Sequence, residues 1–110
     1  MPNYQQIDRV FHALSDATRM AVLERLADGP ASVSMLAAPF DMALPSFTQH
    51  LGILESCNLV TSEKKGRVRT YRINPAPLDE AMGWLAQRRR AWEQRLDRLD
   101  DYLLTMKETE

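Results

Sequence analysis

Phe47, Leu51 and Leu54 stand at i, i+4 and i+7, a spacing that predicts a helix with one stripe facing a core. Pro45 opens it, since proline is tolerated only in a helix's first turn. At about 100° per residue, Gln49, Gly52 and Ser56 point away from the stripe, with Ser46 and Thr48 on its flanks. The face opposite the core is therefore small, polar and rich in hydrogen-bonding groups. Upstream, Ile7, Val10, Phe11 and Leu14 predict a first amphipathic helix, broken at Ser15-Asp16, which offers a cap to the next. The second helix spans Ala17 to Asp28, with Met20, Leu23 and Ala27 as its apolar face and Gly29-Pro30 as its stop. Ser32 caps a short third helix, Val33 to Ala38, ended by Pro39.

Downstream the period changes. Asn58 takes the place where a left-handed residue commonly ends a helix, and β-type runs follow at Leu59 to Glu63 and Val68 to Ile73 around the turn Lys64-Lys65-Gly66-Arg67. Tyr71 and Ile73 alternate inward. After Asn74-Pro75-Ala76-Pro77, Leu78, Met82, Leu85, Arg89, Trp92, Leu96, Leu99, Leu103 and Met106 are spaced alternately by four and three, apolar at every position but Arg89. That last helix would be roughly 40 Å long, more than a small domain can cover.

Only F-D-M-A-L separates the third predicted helix from the fourth, a turn short enough to hold the two at a steep angle. With the hairpin behind it, this predicts a mainly α fold: a winged helix-turn-helix with a two-stranded wing and a long C-terminal dimerisation helix. Residues 1–110 form one domain, divided into N-terminal helices (1–30), helix-turn-helix (32–57), wing (58–74) and long helix (77–107). The economical cover for the long helix is the same helix of a second copy, which would bury Phe11, Leu85, Trp92, Leu96, Leu99 and Leu103 and take both tryptophans out of water. The other arrangement packs it on its own subunit alone.

Charge sharpens this picture. The whole chain has a formal net charge of −1, yet residues 58–75 hold Lys64, Lys65, Arg67, Arg69 and Arg72 against Glu63, a local +4. The near-zero total argues against a generic polyanion binder, so any affinity for nucleic acid must come from local patches such as this one. Arg88-Arg89-Arg90 lies among many acids and reads as helix-surface pairing. No apolar run approaches a membrane span and no secretory pattern opens the chain, so a cytoplasmic location and no membrane partner are expected. One cysteine cannot form an internal disulfide.

Gln49 is the candidate base reader, able to grip adenine N6 and N7 bidentately, with Ser46 and Thr48 donating to phosphate or touching a thymine methyl. His50 lies at the edge of the apolar stripe and either packs within the domain or reaches a phosphate. Lys64, Lys65, Arg67 and Arg69 are candidate phosphate and minor-groove contacts. Cys57 reads as packing, and His12 as a structural or interface residue. There is no paired nucleophile and base and no phosphate-cradling glycine loop, so an enzyme is not expected, nor any cofactor.

F-H-A-L-S-D-A-T-R (11–19), L-A-D-G-P-A-S-V (26–33), F-D-M-A-L-P-S-F-T-Q-H-L (40–51), G-R-V-R-T-Y-R-I (66–73) and W-E-Q-R-L-D-R-L-D-D-Y-L (92–103) together resemble the ArsR-type family of bacterial winged helix-turn-helix repressors, over nearly the whole chain. The resemblance implies a homodimer built from the first and last helices that binds double-stranded DNA at a pseudo-palindromic operator and blocks transcription until a signal releases it. The family's thiolate site, a pair of cysteines in the first helix of the helix-turn-helix, is here Ser32-Val33-Ser34-Met35-Leu36, and its aspartate and histidine site falls on a last helix that has no histidine. No metal site is expected, and a small-molecule or protein effector stays open. Two further departures are the absence of Lys and Arg from residues 41–57, with Gly52 at an exposed helix position, and Ala43 in place of a capping serine. They keep a second function in view, a winged-helix dimer that binds protein rather than DNA.

Overall fold

The structure, a computed structural model, describes residues 4–108. Its elements are α1 (Tyr4–Leu14), α2 (Ala17–Ala27), β1 (Ala31–Ser32), α3 (Val33–Ala37), α4 (Leu44–Ser56), β2 (Val60–Lys65), β3 (Val68–Ile73) and α5 (Ala76–Glu108). Local signals set most boundaries. Asp16 is extended and its carboxylate accepts the Arg19 N–H, while the Ser32 hydroxyl accepts that of Met35, so each satisfies a donor at the start of its helix. Asn58 ends α4 with φ 62°, a left-handed conformation asparagine tolerates.

The wing differs from expectation in two respects. β2 runs on through Lys64 and Lys65, which pair with Arg69 and Val68, so the loop is only Gly66 and Arg67, with Gly66 supplying φ 61°. The expected two-stranded hairpin of β2 and β3 is present, and a third strand joins its sheet: β1 pairs with the outer edge of β3, Ala31 opposite Tyr71 and Ser32 opposite Thr70, in the order β1-β3-β2. Two residues suffice to satisfy open backbone groups on that edge, but two residues show no alternation to read in a sequence.

The face of α2 also differs. Its buried residues are Arg19, Val22, Leu23 and Leu26, whereas Met20 and Ala27 are exposed. Leu23 is buried as expected, but the rest of the buried face turns toward Arg19, Val22 and Leu26, because one core-facing position carries an arginine that an apolar pattern does not mark. Phe47, Leu51 and Leu54 are fully buried, as the α4 spacing predicts, against Val10, Val22, Leu26, Leu36, Leu59 and Val60. Tyr71 is buried and Ile73 packs on the same core.

α5 begins at Ala76 and contains 33 residues, about 50 Å of helix. Ala81 is buried and Leu78 packs against the core, but Met82, Leu85, Trp92, Leu96, Leu99 and Leu103 are exposed. The radius of gyration is 20.5 Å and the long axis 76 Å, where a compact chain of this length would have a radius near 13 Å. The excess is the distal half of α5, carrying an apolar stripe away from its own domain. Trp84, half-buried, meets Phe11 of its own chain edge-on, with centroids 6.0 Å apart. Among the described residues, no helix is long and apolar enough to cross a membrane.

α4 is not optimised for stability. Its N-cap, Ala43, makes no side-chain hydrogen bond, and a Cβ at Gly52 would meet open space. Ala43→Ser combined with Gly52→Ala is expected to stabilise the fold by about 1–2 kcal/mol and to raise Tm by roughly 5–10 °C. A thermal melt at or below that of the wild type would refute this.

Candidate nucleic-acid interface

Two surfaces of opposite origin meet on one side of the domain. Burial of Phe47, Leu51 and Leu54 forces the other face of α4 outward, and Ser46, Thr48, Gln49 and Gly52 are all exposed. The Thr48 hydroxyl donates to the Pro45 carbonyl at 3.0 Å, so within the free protein its proton is spent inside the helix and its oxygen is left to accept. By helical phase Gln49 and Ser56 lie almost opposite the core stripe, and both are exposed. Beside this face stands the wing, whose residues Arg67, Val68 and Arg69 line a groove of about 270 Å³ with Leu44 and Ser32 to Ser34. Lys64, Lys65, Arg67 and Arg69 are exposed.

The register concentrates like charge. Lys64 lies directly opposite Arg69, a cross-strand pairing that disfavours the sheet. Arg69 is partly relieved: it donates to the Ser62 hydroxyl at 2.9 Å, which in turn donates to Glu55 Oε1 at 2.8 Å. This chain ties the wing to the last turn of α4, so the two surfaces keep a set distance. Neither Lys65 nor Arg67 makes a salt bridge among the described residues. A cluster of cations that the fold itself does not neutralise is suited to an anionic partner.

His50 is held from within. Its Nδ1 lies 3.1 Å from the Arg19 guanidinium and 3.5 Å from Asp16 Oδ2. Arg19 donates through Nε to the Ala13 carbonyl at 2.8 Å and through its second terminal nitrogen to that of His12 at 3.3 Å. This network leaves no mark in the sequence, because nothing local links Arg19 to a residue 31 positions away. The backbone N–H of Arg19 is the main cause that holds the Asp16 carboxyl below its ordinary pKa, outweighing desolvation; the Arg19 charge adds to it, as would a protonated His50. A depressed carboxyl stabilises the fold at neutral pH, and that contribution fades as pH falls through the lowered value. Asp16→Ala is thus expected to lose about 1 kcal/mol at neutral pH, with the gap narrowing below about pH 4. Denaturant titrations at both pH values check this, and a gap independent of pH counts against the charged cap.

Cys57 is buried and its Sγ contacts the Leu54 carbonyl at 3.4 Å, while the His12 side chain lies exposed on α1.

Comparison with known proteins points the same way. A helix-turn-helix domain profile matches residues 14–63. The chain is 40% identical over 78 residues to the HTH-type transcriptional regulator Rv2034 of Mycobacterium tuberculosis, covering 71% of this chain and 73% of that protein. It is 30% identical over 79 residues to the transcriptional repressor SdpR of Bacillus subtilis, covering 72% and 88%. In structure it is similar to the ArsR family transcriptional regulator RHA00566, with a TM-score of 0.78 at 49% identity over 81% of this chain and 92% of that one.

Proposed function

Since the chain belongs to the ArsR family of transcriptional regulators, DNA-binding proteins rather than enzymes, we propose that it acts as a homodimeric repressor of a pseudo-palindromic operator. Two copies join through α5 and α1, and each lays α4 into a major groove with its wing against the flanking backbone. The observation that carries this reading is the un-neutralised basic wing set beside an outward polar helix face, on a domain whose long helix leaves its apolar stripe uncovered. Gln49 reads bases, Ser46 and Thr48 make lesser contacts, and Lys64, Lys65, Arg67 and Arg69 hold phosphates or the minor groove. Phe11, Leu85, Trp92, Leu96, Leu99 and Leu103 form the dimer interface. Occupying the operator blocks transcription, as a relative named as a repressor suggests.

No metal signal enters the proposal. Cys57 is buried in the core and His50 Nδ1 is engaged by Arg19, which leaves the chain short of the Cys and His donors that a soft or borderline metal needs. An exposed α4 without Lys or Arg favours one second reading, a dimer that binds protein through the same face. Selection of bound sequences from random duplex DNA by the purified protein separates the two. A footprint of two half-sites about ten base pairs apart supports the operator, and indifference to duplex at low salt leaves only the protein-binding reading. Gln49→Ala is expected to weaken the selected site by about 1–3 kcal/mol and relax one base position. An equal loss on scrambled DNA would remove Gln49 from base reading.

A further inference from the structure

Within the DNA-binding reading above, on which this inference rests, we propose that Arg19 is a positioning residue. It fixes His50 as the Nε2–H tautomer, so that α4 presents a ring N–H donor to a phosphate oxygen of the duplex. Arg19 is a charged side chain only 7% exposed, anchored at Nε by the Ala13 carbonyl and at a terminal nitrogen by that of His12. Its remaining arm lies 3.1 Å from His50 Nδ1. A guanidinium carries donors and no acceptor and keeps its charge at every working pH. The contact therefore requires a bare Nδ1, because a proton there would set two N–H groups against each other. With Nδ1 taken, the neutral ring's single proton sits on Nε2.

Asp16 is the competing group. Its Oδ2 lies 3.5 Å from Nδ1 and would favour a proton there, but it already accepts the Arg19 backbone N–H at 3.0 Å and stands further from the ring than the guanidinium does. The shorter contact decides the tautomer.

Position on α4 decides what the donor meets. His50 follows Ser46 by one turn, on the flank between the buried stripe and the outward Gln49, and its side chain is 23% exposed. Nε2 lies across the ring from the pinned Nδ1, so it belongs to the edge that can face outward. A helix seated in a groove turns its flank toward the groove wall, where phosphate oxygens lie. A neutral, pre-oriented N–H suits such an oxygen, because the Arg19 contact leaves less rotamer freedom to be lost on binding. This places an anion contact on a helix that has no Lys or Arg.

Long-range 1H–15N NMR of the full chain without DNA reads the tautomer directly, with His50→Gln assigning the signal against His12. Protonated Nε2 and bare Nδ1 at neutral pH are expected. An Nδ1–H or doubly protonated ring in the folded protein overturns the proposal. Two variants then separate positioning from mere structure. His50→Asn keeps an acceptor near Nδ1 for Arg19 but removes the outward donor: a wild-type melt is expected, with duplex affinity down roughly tenfold on selected and scrambled DNA alike. His50→Gln carries an N–H near Nε2 and is expected to hold most of the affinity while melting lower. The reverse pattern, with Asn binding like the wild type and Gln failing, assigns His50 a structural role only and overturns the proposal. Wild-type protein that ignores duplex at low salt overturns the DNA reading itself, whereas wild-type binding with an unaffected His50→Asn overturns only this inference.

Discussion

Leu99→Lys is expected to leave the protein monomeric at micromolar concentration and to weaken operator binding by a factor of about 10² to 10⁴. Leu99 is 50% exposed in the single chain, on the distal half of α5 where no part of the domain reaches it. Lysine is a good helix former, so the isolated subunit loses little by the change. In a two-fold dimer the same substitution sets an unpaired charge among Trp92, Leu96 and Leu103 in both copies, at several kcal/mol each. With the link broken, each half-site is bound singly and the gain from tethering disappears. Sedimentation equilibrium and a duplex titration read the two effects separately. A dimer that survives Leu99→Lys shows that another surface joins the copies. Leu99→Met, which keeps the apolar volume, is the control and should assemble normally.

Lys65→Ala combined with Arg67→Ala removes four cations from a dimer and is expected to flatten the slope of log affinity against log salt by about 3 to 4. At 0.1 M salt that corresponds to a loss of roughly 10³ to 10⁴, shared by cognate and scrambled duplex because phosphates carry no sequence information. These two are chosen because they flank Gly66 at the wing tip, are exposed, and make no salt bridge among the described residues. Arg69 is a poorer test, since its hydrogen bond to Ser62 also ties the wing to Glu55 on α4. The wild-type protein, if it touches about 6–10 phosphates, should lose some 10³ to 10⁵ in affinity between 50 and 200 mM salt. An unchanged slope in the double variant would move the electrostatic contact away from the wing.

Much of the candidate interface is legible before folding is considered. Phe47, Leu51 and Leu54 set the phase of α4, and that phase alone turns Gln49, Ser46 and Thr48 outward. The wing's cations are a run in the chain, so their concentration needs no structure to see. His50 sits between the two faces, where helical phase does not fix which way the ring turns, and its partner comes from α2.

What the chain determines by itself is whatever acts over one or two turns: the caps at Asp16 and Ser32, the left-handed Asn58, the glycine loop of the wing, the buried stripe of α4 and the repeat of α5. Side chains three or four positions apart meet because of helix geometry, whatever surrounds them. What only the tertiary structure decided is the third strand, the turn of α2 onto Arg19, the seating of Trp84 on Phe11 and the orientation of His50. Each depends on groups far apart in the chain meeting in a low-dielectric interior, where an arginine becomes a core residue only because two carbonyls and an imidazole from other segments accept its hydrogen bonds.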